Sequence, residues 1–262
     1  MSEMVRGPLG GAGIVVTRPA RQSAGLAKQI AALGGTPLIF PSIVILPPRD
    51  RGALEEAHRR LAEYAYAIFV SANAVEFGVV DRASWPPGLI AFAPGPGTAT
   101  ALREAGVPDV RLPATTMDSD GLLALPEFAD IAGKPIVIFR GGGGRDLLPD
   151  ALLARGARVA QVDCYQRARP TSSPAGLIEA WRGHRVDAVT ITSSEGLTNL
   201  WDLLDAEGRR YLRATPVFVP HARIGEHART LGLATVVVTP PADAGLLASL
   251  LEYFAAGKTK NT

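Results

Sequence analysis

The chain has 262 residues, 47% of them hydrophobic and 20% charged, and its 27 lysines and arginines against 25 aspartates and glutamates give a formal net charge of +2. So even a balance excludes a protein held to nucleic acid by phosphate neutralisation, and no apolar run approaches the ~18 residues of a membrane helix. A single cysteine, Cys164, excludes an internal disulfide and a cysteine-rich metal cluster, and the four histidines show no metal spacing, so no metal is expected.

The start, Met-Ser-Glu-Met-Val-Arg-Gly-Pro, lacks the apolar stretch of a secretory signal, which makes the cytoplasm the expected location. From Gly13 the run Gly-Ile-Val-Val-Thr-Arg18 predicts a strand with a polar end. A helix spaced by Leu26, Ile30 and Leu33 follows, and Gly34-Gly-Thr-Pro-Leu-Ile-Phe-Pro-Ser-Ile-Val-Ile45 predicts a further strand. Tyr66-Ala-Ile-Phe-Val-Ser-Ala-Asn-Ala-Val75 runs from strand into a hydroxyl-rich helix start, where Asn73 and Glu76 are spaced as a capping box. Ala91-Phe-Ala-Pro leads through Gly95-Pro-Gly-Thr98 into another helix, and Asp120-Gly-Leu-Leu123 heads a short one.

Next come the apolar run Pro135-Ile-Val-Ile-Phe139 and the stretch Arg140-Gly-Gly-Gly-Gly-Arg145, then a leucine helix. Glycines between strand and helix expose backbone N–H groups to an anion. A dinucleotide fingerprint begun at Gly141 would need glycine where Asp146 stands, and no P-loop occurs anywhere. Two other readings stand: a tight turn with positive φ, or a site for another anion such as a carboxylate, gripped by the amides of Gly141 and Gly142 and by Arg140 or Arg145. Gly156-Ala-Arg-Val-Ala-Gln-Val-Asp-Cys-Tyr165 then predicts a strand in which Cys164 is a small buried hydrophobe. Asp187-Ala-Val-Thr-Ile-Thr-Ser-Ser-Glu-Gly196 and Val217-Phe-Val-Pro-His-Ala-Arg223 are further strands entering helices, and Ala244-Gly-Leu-Leu247 heads the last helix.

These segments say the same thing twice. The units starting at Gly13 and Pro135 match, as do those at Tyr66 and Asp187, at Ala91 and Val217, and at Asp120 and Ala244. Strands alternating with helices predict two similar parallel-sheet α/β domains, with ligands outside the carboxyl ends of the strands and a cleft between the domains. The loops there hold Thr17, Arg18, Ser71, Asn73, Gly95, Thr98, Arg140, Gly141, Gly142, Arg145, Thr192, Ser193, Ser194, His221 and Arg223. General acids and bases are nearly absent from that set, and neither a G-x-S-x-G turn nor a paired histidine offers a hydrolytic triad. Chemistry must lean on positioning. Thr17, Ser71, Thr192 and Ser193 each serve either as a helix cap or as a ligand contact.

The ordered set Val-Thr-Arg-Pro-Ala, Phe-Val-Ser-Ala-Asn-Ala-Val, Gly-Pro-Gly-Thr-Ala, Arg-Gly-Gly-Gly-Gly-Arg-Asp-Leu-Leu, Val-Asp-Cys-Tyr-Gln-Arg and Thr-Ser-Ser-Glu-Gly-Leu resembles the uroporphyrinogen-III synthase family over residues 13 to 252. The resemblance implies two interleaved flavodoxin-like domains, residues 1–42 with 168–262 and residues 43–167. Two strands near Pro41 to Leu46 and Val162 to Arg167 would link them and act as a hinge. It implies a monomer without cofactor that closes the linear tetrapyrrole hydroxymethylbilane, inverts its last ring and releases water. That substrate's eight carboxylates would supply the anion for Arg140 or Arg145. Tyr165 matches the tyrosine that the family places on the linker facing the cleft, which would make it the proton donor; its other reading is a ring packed against the linker. The loop Pro220-His-Ala-Arg-Ile224 departs from the threonine pair of some members, so His221 and Arg223 stand between surface and ligand roles. A non-catalytic two-domain anion or tetrapyrrole binder is the competing class.

Overall fold

Runs such as Gly13–Val16 and Tyr66–Phe69 are apolar or glycine at every position, the pattern of a strand covered on both faces. The computed structural model describes residues 7–79, 85–143 and 147–258. In chain order, β1 (Gly13–Val16), α1 (Ala20–Ala32) and β2 (Thr36–Ile39) open a first unit. The chain then builds a second unit from β3 (Val44–Leu46), α2 (Gly52–Arg59), β4 (Tyr66–Phe69), α3 (Ala72–Gly78), β5 (Ile90–Phe92), α4 (Pro96–Glu104), β6 (Val110–Arg111), α5 (Ser119–Leu123), β7 (Pro135–Gly141), α6 (Leu147–Ala154) and β8 (Arg158–Ala168). It returns to the first with α7 (Ala175–Arg182), β9 (Ala188–Thr190), α8 (Ser194–Leu203), α9 (Ala206–Ala214), β10 (Val217–Val219), α10 (Ala222–Thr230), β11 (Val236–Val238) and α11 (Ala242–Lys258). The units are Met1–Val44 with Ala168–Thr262, and Ile45–Arg167.

The first unit's sheet runs β11-β10-β9-β1-β2 and the second's β3-β8-β7-β4-β5-β6, with parallel pairing from β8 to β6 in the second and throughout the first. Taken in the order of the repeat, β1-β2-β9-β10-β11 and β7-β8-β4-β5-β6, both sheets follow the 2-1-3-4-5 order of a doubly wound α/β fold. The second unit is therefore a circular permutation of the first.

Residues alternate between the two faces of each sheet. In the second unit Ala67, Phe69, Val137 and Phe139 pack on one side with α2, α3 and α4, while Tyr66, Ile68, Ile136 and Ile138 pack on the other with α5 and α6. In the first, Val15, Val189 and Val217 face α7 to α10, and Ile14, Val16 and Phe218 face α1 and α11. The matched helices α1 and α6 both turn into their next strand through a glycine with positive φ, Gly34 at 78° and Gly156 at 83°, where a side chain would be strained.

The single strand expected over Gly34–Ile45 is instead broken. β2 ends at Ile39 and β3 begins at Val44 in the other sheet. Phe40 and Ser42 still donate their N–H groups to the Val16 and Thr17 carbonyls at 3.0 Å, but Pro41 between them has no N–H to give.

Candidate functional site

In a doubly wound sheet, ligands sit at the carboxyl ends of the two strands from which the connections lead away in opposite directions. In the second unit these are β7 and β4, which pair from Tyr66↔Ile136 to Phe69↔Phe139 and so deliver Arg140-Gly141-Gly142 next to Val70-Ser71.

Tyr165 comes to the same place because the β7–β8 register slips. Arg140 lies opposite Asp163 but Gly141 opposite Tyr165, so Cys164 is an extra residue in the ladder. A bulge of this kind re-aims the side chains beyond it. Strict alternation would send neighbours 164 and 165 to opposite faces, yet both are buried in one cluster. The Cys164 thiol donates to the Arg140 carbonyl at 3.3 Å, and burial pushes its pKa up to about 12, so it is an inert packing group. The Tyr165 ring stacks on Phe77 with centroids 6.3 Å apart, and its Oη lies 3.2 Å from Ser71 Oγ.

Arg140 is a cation only 7% exposed. Its Nη1 donates to Gln161 Oε1 at 2.6 Å, and its Nε lies 3.7 Å from Asp163 Oδ1. Two cavities, of about 710 Å³ and about 230 Å³, meet this cluster, and Arg140, Gly142 and Tyr165 line both. A buried guanidinium, a phenol and a serine hydroxyl thus converge at the strand ends. Among the described residues no group of three His, Cys, Asp or Glu is placed to hold a metal ion.

The corresponding ends in the first unit belong to β1 and β9. Here Thr17 is buried and donates from Oγ1 to the Thr190 carbonyl at 2.7 Å, tying the two strands together. Arg18 forms an ion pair with Asp243 at 2.6 Å. Ser193 caps α8 by accepting the Gly196 N–H at 2.9 Å. Next to it, the Ser194 hydroxyl oxygen is buried without a hydrogen-bond partner among the described residues.

A family model described as uroporphyrinogen-III synthase HemD matches residues 24–248. The chain belongs to the uroporphyrinogen-III synthase family. It is 34% identical over 244 residues to the uroporphyrinogen-III synthase of Salmonella typhimurium, covering 91% of this chain and 99% of that one. To that of Synechococcus elongatus it is 30% identical over 208 residues, 77% and 78% of the two chains. Among solved structures, the Helicobacter pylori synthase superposes with a TM-score of 0.57 at 14% identity, covering 92% of this chain and 99% of that one. A mutant Thermus thermophilus synthase gives 0.54 at 22%, covering 95% and 100%. At these identities the two structures speak for the fold alone.

Within this family member several expected roles change. The capping box at Asn73 and Glu76 does not form as read. The cap of α3 is Ser71, whose Oγ accepts the Ala74 N–H at 3.1 Å, because β4 ends at Phe69 and Asn73 already lies inside the helix. Thr17 and Thr192 are not caps either: α1 begins after Pro19 without a side-chain cap, and Ser193 takes that place for α8. The amide cradle at Gly142 is occupied from within, since its N–H donates to the Tyr165 carbonyl at 3.0 Å. Gly95 precedes α4 as its cap residue, and Thr98 is buried inside that helix. His221 precedes α10 without a side-chain cap, and both it and Arg223 are exposed. Arg145 lies outside the described residues. Sequence reasoning missed Gln161 and Asp163, which meet Arg140 from alternate positions of β8; the signal was their i,i+2 spacing opposite a strand that ends in arginine.

Proposed function

We propose that this chain is a uroporphyrinogen-III synthase that closes hydroxymethylbilane with inversion of its last ring and loss of water, using Arg140 to hold a substrate carboxylate and Tyr165 to donate the proton. The observation that carries the reading is the convergence of the Arg140 guanidinium and the Tyr165 phenol on the same two cavities in a chain of this family.

A guanidinium kept from water binds a carboxylate more strongly than a solvated one, because the competing dielectric is lower. Gln161 fixes one nitrogen of the fork at 2.6 Å, and Asp163 lies 3.7 Å from another. Loss of water begins with cleavage of the C–O bond, the electron pair leaving on oxygen. The Tyr165 proton turns that oxygen into water, and the proton released when ring closure completes restores the phenol. A phenol suits the step because its hydroxyl carries a proton to donate and its ring face accepts the cationic azafulvene left behind. Bringing the two ends of one molecule together supplies the larger part, on the order of 7–11 kcal/mol for well-oriented intramolecular reactions.

Supplying hydroxymethylbilane and identifying the cyclic product tests the proposal. Formation of the asymmetric isomer in proportion to enzyme supports it. Tight binding of the linear tetrapyrrole without formation of that isomer identifies a carrier instead.

A further inference from the structure

The hydroxyl pair Ser71 and Tyr165 has a hydrogen-bond direction that follows from counting donors. Ser71 Oγ has one proton and two lone pairs, and the Ala74 N–H already occupies one lone pair. Tyr165 Oη has one proton. The 3.2 Å separation between the two oxygens holds a single proton, which belongs either to the serine or to the tyrosine. With the tyrosine donating, its proton is tied up against Ser71 and is withheld from the cavity. With the serine donating, the phenol O–H is free to point at a ligand, and its oxygen is already held by a donor.

We propose that Ser71 is a positioning residue for the reaction: its hydroxyl donates to Tyr165 Oη, turns the phenol proton toward the leaving hydroxyl and stabilises the phenolate as that proton departs. This rests on the role proposed for Tyr165. Three features favour the serine-donating arrangement. Accepting the Ala74 N–H polarises the Ser71 O–H and makes it a better donor. The cap fixes the serine, since its Oγ cannot leave Ala74 without uncapping α3. The ring it serves is held equally firmly, by Phe77 on one side and the bare backbone of Gly141 on another. Two hydroxyls fixed from opposite directions at 3.2 Å give a geometry that needs no rearrangement when charge develops. The serine touches Tyr165, so its effect on the reaction passes through that phenol.

The test is a double-mutant cycle in steady-state kinetics, with Ser71→Ala, Ser71→Gly and Ser71→Thr each made in the parent and in the Tyr165→Phe background. Ser71→Gly is included because glycine is nearly as good a cap residue as serine, which keeps α3 in place without the hydroxyl. The expected result is a kcat loss of about tenfold or more for the alanine and glycine variants, a KM within about threefold of the parent, and recovery of most of the rate with threonine, which keeps both the acceptor and the donor. In the Tyr165→Phe background the same substitutions should lower kcat no further, because there is no phenol left to orient. A parent-like kcat in Ser71→Gly overturns the proposal, as does an effect confined to KM, which marks a substrate contact. Losses that multiply in the double variants also overturn it, since they show a role independent of the phenol. If Tyr165→Phe alone keeps the parent rate, the reading of Tyr165 itself fails and Ser71 falls with it.

Discussion

Gly141 leaves the space that the Tyr165 ring occupies. A Cβ built on residue 141 would stand 2.5 Å from Tyr165 Cζ and 2.8 Å from its Oη, inside van der Waals contact. The register slip beside it brings the ring over this position, and the Gly142 N–H donating to the Tyr165 carbonyl locks the backbone there. Two of the glycines that look like an anion cradle in the sequence are thus a seat for the tyrosine. Gly141→Ala must displace that ring, an overpacking that costs about 1–3 kcal/mol. We expect a lowered melting temperature together with at least a tenfold drop in kcat, read by thermal unfolding and steady-state rates. A variant that keeps both values contradicts the seat.

Arg140 is expected to act through binding. Substituting glutamine keeps a polar group of similar length beside Gln161 and removes the charge, so Arg140→Gln should raise KM more than it lowers kcat. Rising ionic strength should raise KM in the parent and less in the variant, because screening weakens only the charged contact. An unchanged KM in the variant removes Arg140 as the carboxylate anchor.

Ser194 separates stability from binding. Its buried hydroxyl has no partner among the described residues, and an unsatisfied buried polar group costs free energy in the folded state. Ser194→Ala should therefore leave the melting temperature unchanged or raise it slightly, while raising KM if that hydroxyl meets a substrate carboxylate. A lower melting temperature with an unchanged KM contradicts both parts.

Cys164 gives a pH-dependent test. Burial raises the thiol pKa from about 9 to about 12, so the folded state keeps the proton over a range in which the unfolded chain has released it. The sign follows: the contribution is fully present below pH 9 and is lost as pH rises toward 12. Subtracting the unfolding free energy of Cys164→Ala from that of the parent at each pH should give a difference that is flat below pH 9 and falls above it. At pH 8 the native thiol should resist alkylation that the urea-unfolded chain undergoes at once. Rapid alkylation of the folded protein contradicts this burial.

The repeat was legible because parallel strands buried on both faces write their apolar runs into the sequence without alternation. Each of Gly13–Val16, Tyr66–Phe69 and Pro135–Phe139 stands out by itself, and the order in which they recur yields the permuted sheet order. The site was less legible because it depends on registers. Ser71 and Asn73 both suit a helix cap, and only the end of β4 at Phe69 decides between them. The direction of Tyr165 depends on a slip between two strands that neither strand records alone. The burial of Arg140 likewise comes from partners on β8 that are distant in sequence, Gln161 at 2.6 Å and Asp163 at 3.7 Å.

The most direct test of the account is the rate of water loss in Tyr165→Phe with hydroxymethylbilane as substrate. Phenylalanine keeps the ring stacked on Phe77 and seated on Gly141 and removes only the hydroxyl. If that hydroxyl donates the proton, kcat for the asymmetric product falls by about 10²-fold or more while KM and the melting temperature stay close to the parent's. A phenylalanine variant that turns over at the parent rate contradicts the account, because the ring would then be packing alone and substrate positioning would have to explain the whole of the catalysis.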